Sequence, residues 1–197
     1  MITPEQIKNL RDMTGISVMQ CKRALEEALG DADKAIALLK KKSGEIAIKK
    51  ADRTLGAGTV AAYLHSGGQV GAMVELETET DFVAKNEDFK TLAYELAMHV
   101  AATAPLYVDE SRISTEARDA ARELYREEVE KLDKPQDMKS KIMEGKLAAY
   151  FAERTLMAQP FIKNADITVS QLLEQATQKF GEKIAVGKFA RMKVLES

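Results

Sequence analysis

The chain has 197 residues, of which 45% are hydrophobic and 30% are charged, and its formal net charge at pH 7 is −2. This composition is typical of a soluble globular protein, and the near-zero charge excludes a global attraction to nucleic acid or to an anionic membrane. The single cysteine, Cys21, excludes an intrachain disulfide and a cysteine zinc cluster, and it makes the cytoplasm the expected compartment.

The start of the chain predicts three short helices that pack closely together. Thr3, Ser17 and Asp31 are each placed to cap the start of a helix, and a glycine ends each of the first two helices. The loops between the helices are short, which brings the helices into contact. We therefore predict a three-helix domain over residues 1–40, similar in shape to ubiquitin-associated (UBA-like) domains.

A strongly basic stretch follows this domain. Residues 40–56 contain six lysine or arginine residues and two acidic ones, so their net charge is +4. Runs of one charge are most often solvated, and we therefore predict a basic linker over residues 41–56 that is helical or partly ordered. The alternative is that this stretch contacts an acidic surface of a partner.

The rest of the chain, residues 57–197, predicts an α+β core. Apolar residues alternate over residues 57–78 around two consecutive glycines, which is typical of a β-hairpin. Helical periodicity returns at Asn86, and residues 115–157 predict an antiparallel helical hairpin. The alternation of residues 184–194 predicts a last strand that joins the first hairpin. We therefore expect a small antiparallel sheet of about three strands with helices on one face.

The residue types that carry catalysis do not form a site in the sequence. Cys21 lies on the predicted inner face of a helix without a nearby histidine, so core packing is the better interpretation. His65 and His99 are too few and too far apart for a histidine metal site, and no phosphate-binding glycine motif occurs. The sequence also lacks the aromatic pattern of a nucleic-acid-binding strand, a signal peptide and a membrane-spanning apolar run. We therefore expect no cofactor and no direct contact with nucleic acid or membrane.

Four acidic residues alternate along the end of the second predicted strand, at Glu75, Glu77, Glu79 and Asp81. On a strand they share one face, where paired carboxylates could hold a metal or act as acid and base. A solvated face opposite the apolar side of the strand explains the same pattern, and it is the interpretation we prefer.

The segment from Thr80 to Asn86, TDFVAKN, stands between the strand and the next helix and follows neither period. It places a large aromatic side chain, Phe82, in a short turn between Asp81 and Lys85. Phe82 can fold back onto the next helix as an apolar staple. Alternatively, it can remain exposed as the aromatic anchor of a protein interface.

Three motifs together resemble the bacterial translation elongation factor Ts family. They are LRDMTGISVMQCKRALEEALGD near the start, ETDFVAKNEDF in the middle and MEGKLAAYFAERTLMAQPFIK towards the end. They occur in this order over nearly the whole chain. Longer members of the family have two related sheet subdomains in the core, whereas this chain has one. It therefore resembles a short, single-copy form that a homodimer could complete.

The resemblance implies that the chain is a guanine nucleotide exchange factor for elongation factor Tu and performs no covalent chemistry. Members of the family bind Tu with GDP, loosen the nucleotide and leave when GTP and then aminoacyl-tRNA bind Tu. A ubiquitin-binding-type helical adaptor without exchange activity is the main alternative, because a small three-helix domain has that shape as well. A small hydrolase that uses Cys21 or the acidic row is a further alternative.

By position, the intruding element of the family corresponds to the segment Thr80, Asp81, Phe82 and Val83. The resemblance implies that Phe82 inserts between helices of the G domain of Tu, near the nucleotide, and displaces the segment that holds Mg²⁺. Asp81 is then expected to help seat this insertion, and Thr80 completes the motif. On this basis we predict that Phe82 is exposed.

The resemblance also implies two docking contacts with Tu. In the three-helix domain, the positions that match docking on the G domain are Arg11, Val18, Met19 and Lys22. Val18 is smaller than the methionine that many members have at this position. His65, at the predicted hairpin tip, and Ile162, after the sequence QPF, match residues that face a β-barrel domain of Tu. In a homodimer these last contacts and the Phe82 contact on one Tu could come from different subunits.

Overall fold

The computed structural model describes residues 2–196 and confirms an α+β fold. The helices are α1 (Pro4–Thr14), α2 (Val18–Glu27), α3 (Ala32–Lys50), α4 (Asp81–Ala84), α5 (Glu87–Thr103), α6 (Thr115–Glu130), α7 (Gln136–Ala152) and α8 (Val169–Phe180). The strands are β1 (Ala57–Leu64), β2 (Val70–Thr78), β3 (Pro160–Phe161), β4 (Asn164–Thr168) and β5 (Ala185–Lys193). Within residues 2–196, none of the helices combines the length and the apolar character that a membrane crossing requires.

The main sheet has three strands in the order β1-β2-β5, as the sequence predicts. β1 and β2 form a hairpin, in which the His65 N–H donates to Val70 O at 2.8 Å near the turn. At the other end of the hairpin, the Gly56 N–H donates to Thr78 O at 3.1 Å. The last strand, β5, pairs with the free side of β2 and completes the sheet. The buried residues of β2 follow the predicted period of two: Ala72, Val74, Leu76 and Thr78.

A second sheet, which the sequence does not predict, pairs β3 with β4 antiparallel. β3 contains only Pro160 and Phe161, and two residues are too few to show an alternating pattern. The turn between the two strands carries Ile162, one of the residues matched to Tu docking. This small sheet therefore positions a candidate contact residue.

By internal contacts the chain divides into two compact units. Unit 1 consists of residues 2–61, 75–93 and 170–186, and unit 2 consists of residues 62–74, 94–169 and 187–196. Each strand of the main sheet has residues in both units, because the division crosses β1, β2 and β5.

In unit 1, α1, α2 and α3 enclose a hydrophobic core of their own. Thr3, Ser17 and Asp31 cap these helices as predicted, since each side chain accepts a hydrogen bond from the backbone N–H three residues later. Cys21 is fully buried in this core, which confirms the packing interpretation. The buried members of the core are Leu10, Ile16, Cys21, Ala24, Leu25, Ala28, Ala35 and Leu39.

The third helix continues into the basic stretch. α3 ends at Lys50, so most of residues 41–56 is helical, which is one of the two forms expected for this stretch. Buried Ser43 explains the extension, because its Oγ donates to Gln178 Oε1 in α8 at 2.6 Å. Gln178 Nε2 in turn donates to Gln20 Oε1 at 2.8 Å. These contacts, all within unit 1, hold the three-helix segment against α8. The domain boundaries at residues 40 and 56 stay a prediction.

Half of the cations in the basic stretch have partners within unit 1. Lys42 Nζ pairs with Glu27 at 2.6 Å, and Arg53 pairs with Glu79 at 3.0 Å. Lys50 Nζ donates to a backbone carbonyl at 2.7 Å. Three of the six cations therefore support the fold, which favours the structural interpretation over a contact surface for an acidic partner.

In unit 2, α6 and α7 form the predicted helical hairpin. Its small core centres on Phe151, whose ring contacts those of Tyr150 and Tyr107 at centroid distances of 5.1 and 6.2 Å. α7 ends at Ala152 rather than near residue 157. The reason is that the chain then turns to form backbone hydrogen bonds with residues 106–108.

Candidate functional site

Phe82 lies on α4, a single helical turn between β2 and α5. Its side chain is 82% exposed, whereas the next two residues, Val83 and Ala84, are buried. Neighbouring residues on a helix point in different directions, so the turn can bury two of them and leave the first in solvent. The buried pair attaches the turn to the protein. The interpretation of Phe82 as an apolar staple is therefore wrong.

Short-range contacts close this turn. The backbone N–H groups of Ala84 and Lys85 donate to the carbonyls of Thr80 and Asp81, at 3.2 and 3.0 Å. Lys85 Nζ contacts Asp81 Oδ2 at 2.5 Å. Hydrogen bonding to the Lys85 ammonium lowers the pKa of Asp81 below its usual value, so the carboxylate is charged at neutral pH. The exposed ring of Phe82 is thus accompanied by an ion pair on the same turn.

Glu182 is a site residue that sequence reasoning missed. It lies in the loop between α8 and β5, and its carboxylate accepts hydrogen bonds from Thr78 Oγ1 (2.8 Å), Thr80 N–H (2.9 Å) and Thr80 Oγ1 (2.6 Å). Burial alone would raise the pKa of Glu182, but the hydrogen bonds from Thr80 and Thr78 outweigh it and leave the pKa lowered. Glu182 and Thr80 are 102 positions apart, so no local pattern reveals this contact.

Glu79 makes a second link between the end of β2 and the loop that follows α8. Its Oε1 accepts the backbone N–H of Lys183 at 2.6 Å, and its Oε2 pairs with Arg53 at 3.0 Å. The bond from Lys183, and to a smaller degree Arg53, lowers the pKa of Glu79. The acidic row is therefore more than a solvated face. In the part of the chain that the structure describes, no group of three or more His, Cys, Asp or Glu residues could hold a metal ion.

The docking residues predicted in the three-helix segment lie at the end of α1 and the start of α2. Arg11, Val18, Met19 and Lys22 are all exposed. The apolar side chains of Val18 and Met19 are 47% and 59% exposed. Met13, which the sequence analysis did not select, is 70% exposed in the last turn of α1. Exposed apolar side chains beside cations are typical of an interface, and we call these five residues the helical docking surface.

His65 begins the turn of the main hairpin, as predicted. Gly67 and Gly68 adopt φ values of 84° and 71°, which favour glycine and allow the tight reversal. Tyr63 Oη lies 2.9 Å from His65 Nδ1, and the Tyr63 ring packs edge-on against Tyr94 at 5.7 Å. His65 is exposed to solvent, and the hydrogen bond with Tyr63 restrains its imidazole ring.

Ile162 is presented by a buried hydrogen-bond network in unit 2. Its backbone N–H donates to His99 Nδ1 at 3.3 Å, and His99 Nε2 lies 2.9 Å from Gln159 Oε1. Because Nδ1 accepts a hydrogen bond from the Ile162 N–H, the hydrogen of the neutral ring lies on Nε2 and points to Gln159. Thr103 Oγ1 donates to the same Gln159 oxygen at 2.9 Å. His99 is fully buried and so fixes the turn that carries Ile162.

Acidification should destabilise the chain through His99. Burial lowers the pKa of His99, and the hydrogen bond to Gln159 opposes this shift only in part. The folded chain then binds this proton less readily than the unfolded chain, so the free energy of unfolding should fall as the pH drops below about 6.5. The slope from one group is at most about 1.4 kcal/mol per pH unit. Urea unfolding between about pH 5.5 and 7.5 measures it.

The control for this prediction is the second histidine. His99→Gln should remove the contribution of His99 to the slope, because an amide does not titrate, whereas His65→Gln on the exposed histidine should leave that contribution in place. Glu79 and Glu182 do not interfere, because their lowered pKa values place their proton uptake below about pH 4.5. Burial raises the pKa of Glu174, which gives a slope of opposite sign, but this slope is the same in both variants, so the difference between the variants measures His99. An unchanged slope in His99→Gln would contradict the prediction.

A sequence profile of the family described as Elongation factor TS matches residues 8–196. The chain belongs to this family. Elongation factor Ts of Koribacter versatilis (strain Ellin345) is 44% identical over 193 residues, which cover 98% of this chain and 88% of that protein. Elongation factor Ts of Carboxydothermus hydrogenoformans is 45% identical over 196 residues, covering 100% and 90% of the two chains. That of Fervidobacterium nodosum is 40% identical over 195 residues, covering 99% of each.

The contact residues that the resemblance predicts fall in two groups in the structure. The turn from Thr80 to Val83 and the helical docking surface belong to unit 1, whereas His65 and Ile162 belong to unit 2. All of the predicted contact residues except Val83 are exposed. Val83 is 5% exposed, so it supports the turn and cannot itself be a main contact.

Proposed function

We propose that the chain is a guanine nucleotide exchange factor for elongation factor Tu. The observation that carries this proposal is Phe82, an aromatic side chain that is 82% exposed on an anchored turn in a member of the elongation factor Ts family. In this role the chain binds Tu with GDP, promotes release of GDP and remains on nucleotide-free Tu until GTP binds. The step forms and breaks no covalent bond and needs no cofactor. The proposal includes a cytoplasmic location, where translation takes place.

In the proposed mechanism Phe82 enters the G domain of Tu beside the nucleotide and displaces the segment that holds Mg²⁺. Burying an exposed phenylalanine side chain contributes about 1.5–3 kcal/mol. Weakening GDP binding by about 10⁴-fold requires about 5.5 kcal/mol of differential contact. Phe82 therefore supplies only part of the effect, and the docking contacts supply the rest.

Two further contacts complete the proposed docking. The helical docking surface contacts a helix of the G domain, and we retain the UBA-like shape for the three-helix segment that carries it. His65 and Ile162 contact a β-barrel domain of Tu. Their exposure and their fixed positions, through Tyr63 and His99 respectively, support this assignment.

Thermodynamic linkage makes the effect reciprocal. If the chain weakens the affinity of Tu for GDP by some factor, GDP weakens the affinity of Tu for the chain by the same factor. The chain must therefore bind nucleotide-free Tu more tightly than it binds Tu with GDP. Adding GDP to the complex should release the chain.

A GDP-release assay with purified Tu tests the proposal. Tu loaded with fluorescent GDP is mixed with the chain and an excess of unlabelled GDP, and the dissociation rate is followed at increasing concentrations of the chain. An exchange factor raises this rate until it saturates. A ubiquitin-binding-type helical adaptor would leave the rate unchanged even where it binds Tu, and that result would overturn the proposal.

We further propose that the free chain is a homodimer. In unit 2, one surface of the main sheet carries exposed apolar side chains from all three strands and from the residue that follows β5. These residues are Leu64, Met73, Met192 and Val194. Exposed apolar surface of this kind marks an interaction site. A second copy is the proposed occupant, because a two-fold axis pairs one patch with itself. The single-copy core, which lacks the partner subdomain of longer members, points to the same occupant.

Sedimentation equilibrium at micromolar concentration should give twice the chain mass of 21.7 kDa. Reductant should not change this result, because the one cysteine of the chain, Cys21, is buried. Met73→Glu should give the single-chain mass, since it places a charge in the proposed interface. Met138→Glu, on an exposed methionine of α7, is the matched control and should remain dimeric. A single-chain mass for the unmodified protein would contradict the proposal.

A further inference from the structure

We propose that Glu182 is a positioning residue for Phe82, a role that rests on the proposed exchange function. Glu182 touches neither Tu nor nucleotide in this role. It holds the turn that carries Phe82 in the orientation that insertion requires. The inference follows from three observations: how the turn is capped, how short it is and what else holds the surrounding segments together.

The first observation is the unusual use of Thr80. It occupies the N-cap position of α4, where a threonine side chain ordinarily accepts a hydrogen bond from a backbone N–H of the first turn. Here the Thr80 side chain makes no such cap bond. Its hydroxyl donates instead to Glu182 Oε1 at 2.6 Å, and its backbone N–H donates to Glu182 Oε2 at 2.9 Å. Thr80 therefore bonds to a carboxylate that is distant in the sequence instead of capping α4.

The second observation is the length of α4. It contains four residues, and a helix of one turn is not stable by itself in water. Its orientation therefore depends on attachments to the rest of unit 1. The buried side chains of Val83 and Ala84 attach its end, and Glu182 attaches its start through Thr80. Phe82 lies between these two attachments.

The third observation is that Glu182 is not needed to join the two segments. Glu79 already binds the Lys183 backbone at 2.6 Å, and Lys183 Nζ donates to the backbone carbonyls of Ala51 and Arg53 at 2.5 and 3.1 Å. These bonds hold the loop after α8 without reaching α4. Removing the Glu182 side chain should therefore free the start of the turn and leave the fold in place.

A turn that Glu182 no longer holds must become ordered when Phe82 enters Tu. The free-energy cost of this ordering reduces the net free energy gained by insertion. Losing hydrogen bonds to a charged group ordinarily has an effect equivalent to about tenfold in an equilibrium constant or more. We therefore expect Glu182→Ala to slow GDP release from Tu about tenfold at saturating concentration. Hydrogen exchange of the amides of residues 80–85 should become faster in the same variant.

Two variants separate positioning from loss of charge. Glu182→Gln can keep all three contacts, because the amide oxygen accepts from Thr78 and from the Thr80 N–H while the amide nitrogen donates to the Thr80 hydroxyl. It should release GDP at nearly the unmodified rate. Glu174→Ala, on α8, removes an acid that makes none of these bonds and should have no effect.

A double-mutant cycle with Phe82→Ala decides whether Glu182 acts through Phe82. In that case Glu182→Ala slows release in the unmodified chain and has no further effect when Phe82 is already alanine. An equal further slowing in the Phe82→Ala background would overturn the inference, and so would an unmodified rate for Glu182→Ala. Should Glu182→Ala fail to fold by circular dichroism, Thr80→Val replaces it, and an unmodified rate there overturns the inference as well.

The same data distinguish this inference from the proposed function. If Phe82→Ala releases GDP as fast as the unmodified chain, the insertion mechanism itself is wrong. If Phe82→Ala is slow while Glu182→Ala is fast, the mechanism stands and only the positioning role of Glu182 is wrong.

Discussion

Phe82→Ala should slow the release of GDP from Tu by about 10- to 100-fold at saturating concentration of the chain. The expected factor corresponds to the free energy of burying one phenylalanine side chain, which the variant cannot gain on binding. The free energy of unfolding should change by no more than about 0.5 kcal/mol, because the ring is 82% exposed and contributes little to the folded state. Fluorescent-GDP dissociation and urea unfolding measure the two effects on the same preparation.

Leu124→Ala is the matched control for this experiment. Leu124 is 67% exposed on α6, so the variant removes an exposed apolar side chain that belongs neither to the turn nor to the residues matched to Tu contacts. It should leave both GDP release and stability unchanged. A normal release rate in Phe82→Ala, or a loss of several kcal/mol in its stability, would show that Phe82 has a structural role instead.

Replacing Arg11 and Met19 together by alanine should weaken binding of the chain to Tu by about 10- to 100-fold. The release rate at saturating concentration should remain close to that of the unmodified chain, because these residues dock and do not act on the nucleotide. The concentration dependence of GDP release gives both quantities in one titration. A lowered rate at saturation with unchanged affinity would contradict the docking role.

Surface substitutions test docking better than deletion of the three-helix segment does. Ser43 and Gln20 bond to Gln178, so deleting the segment would leave a buried amide of α8 without its partners. Exposed Met19 and Arg11 can be changed without disturbing these contacts. Met138→Ala, on an exposed methionine of similar burial, is the control and should bind Tu normally.

The features that the sequence predicts correctly depend on local patterns. Thr3, Ser17 and Asp31 mark the starts of three helices because a capping bond spans only three residues. The strands are predicted from the alternation of apolar residues with a period of two. Phe82 stands out because a large aromatic residue lies where neither period applies. That pattern left a staple and an exposed anchor open, and the exposure of Phe82 confirms the expectation drawn from the family resemblance.

The features that the sequence does not predict depend on contacts between distant residues. The sequence left a helical and a partly ordered form open for the basic stretch, and the contact of Ser43 with Gln178 stabilises the helical form. Glu182 binds Thr80 across 102 positions and has no motif of its own. The exposed position of Phe82 could be predicted from the sequence only through its resemblance to a family, whereas the residue that holds its turn could be found only in the structure.

The bond between Ser43 and Gln178 bears on the order in which the chain folds during synthesis. The two residues are 135 positions apart, whereas the core of α1, α2 and α3 closes within the first 39 residues. Domains fold from the N-terminus as the ribosome releases them, so this core can form while most of the chain is still unmade. Ser43 and Gln20 must then stay hydrated until α8 has been synthesised. We expect a nascent chain that ends before α8 to protect the start of α3 from proteolysis and to leave its second half open to cleavage.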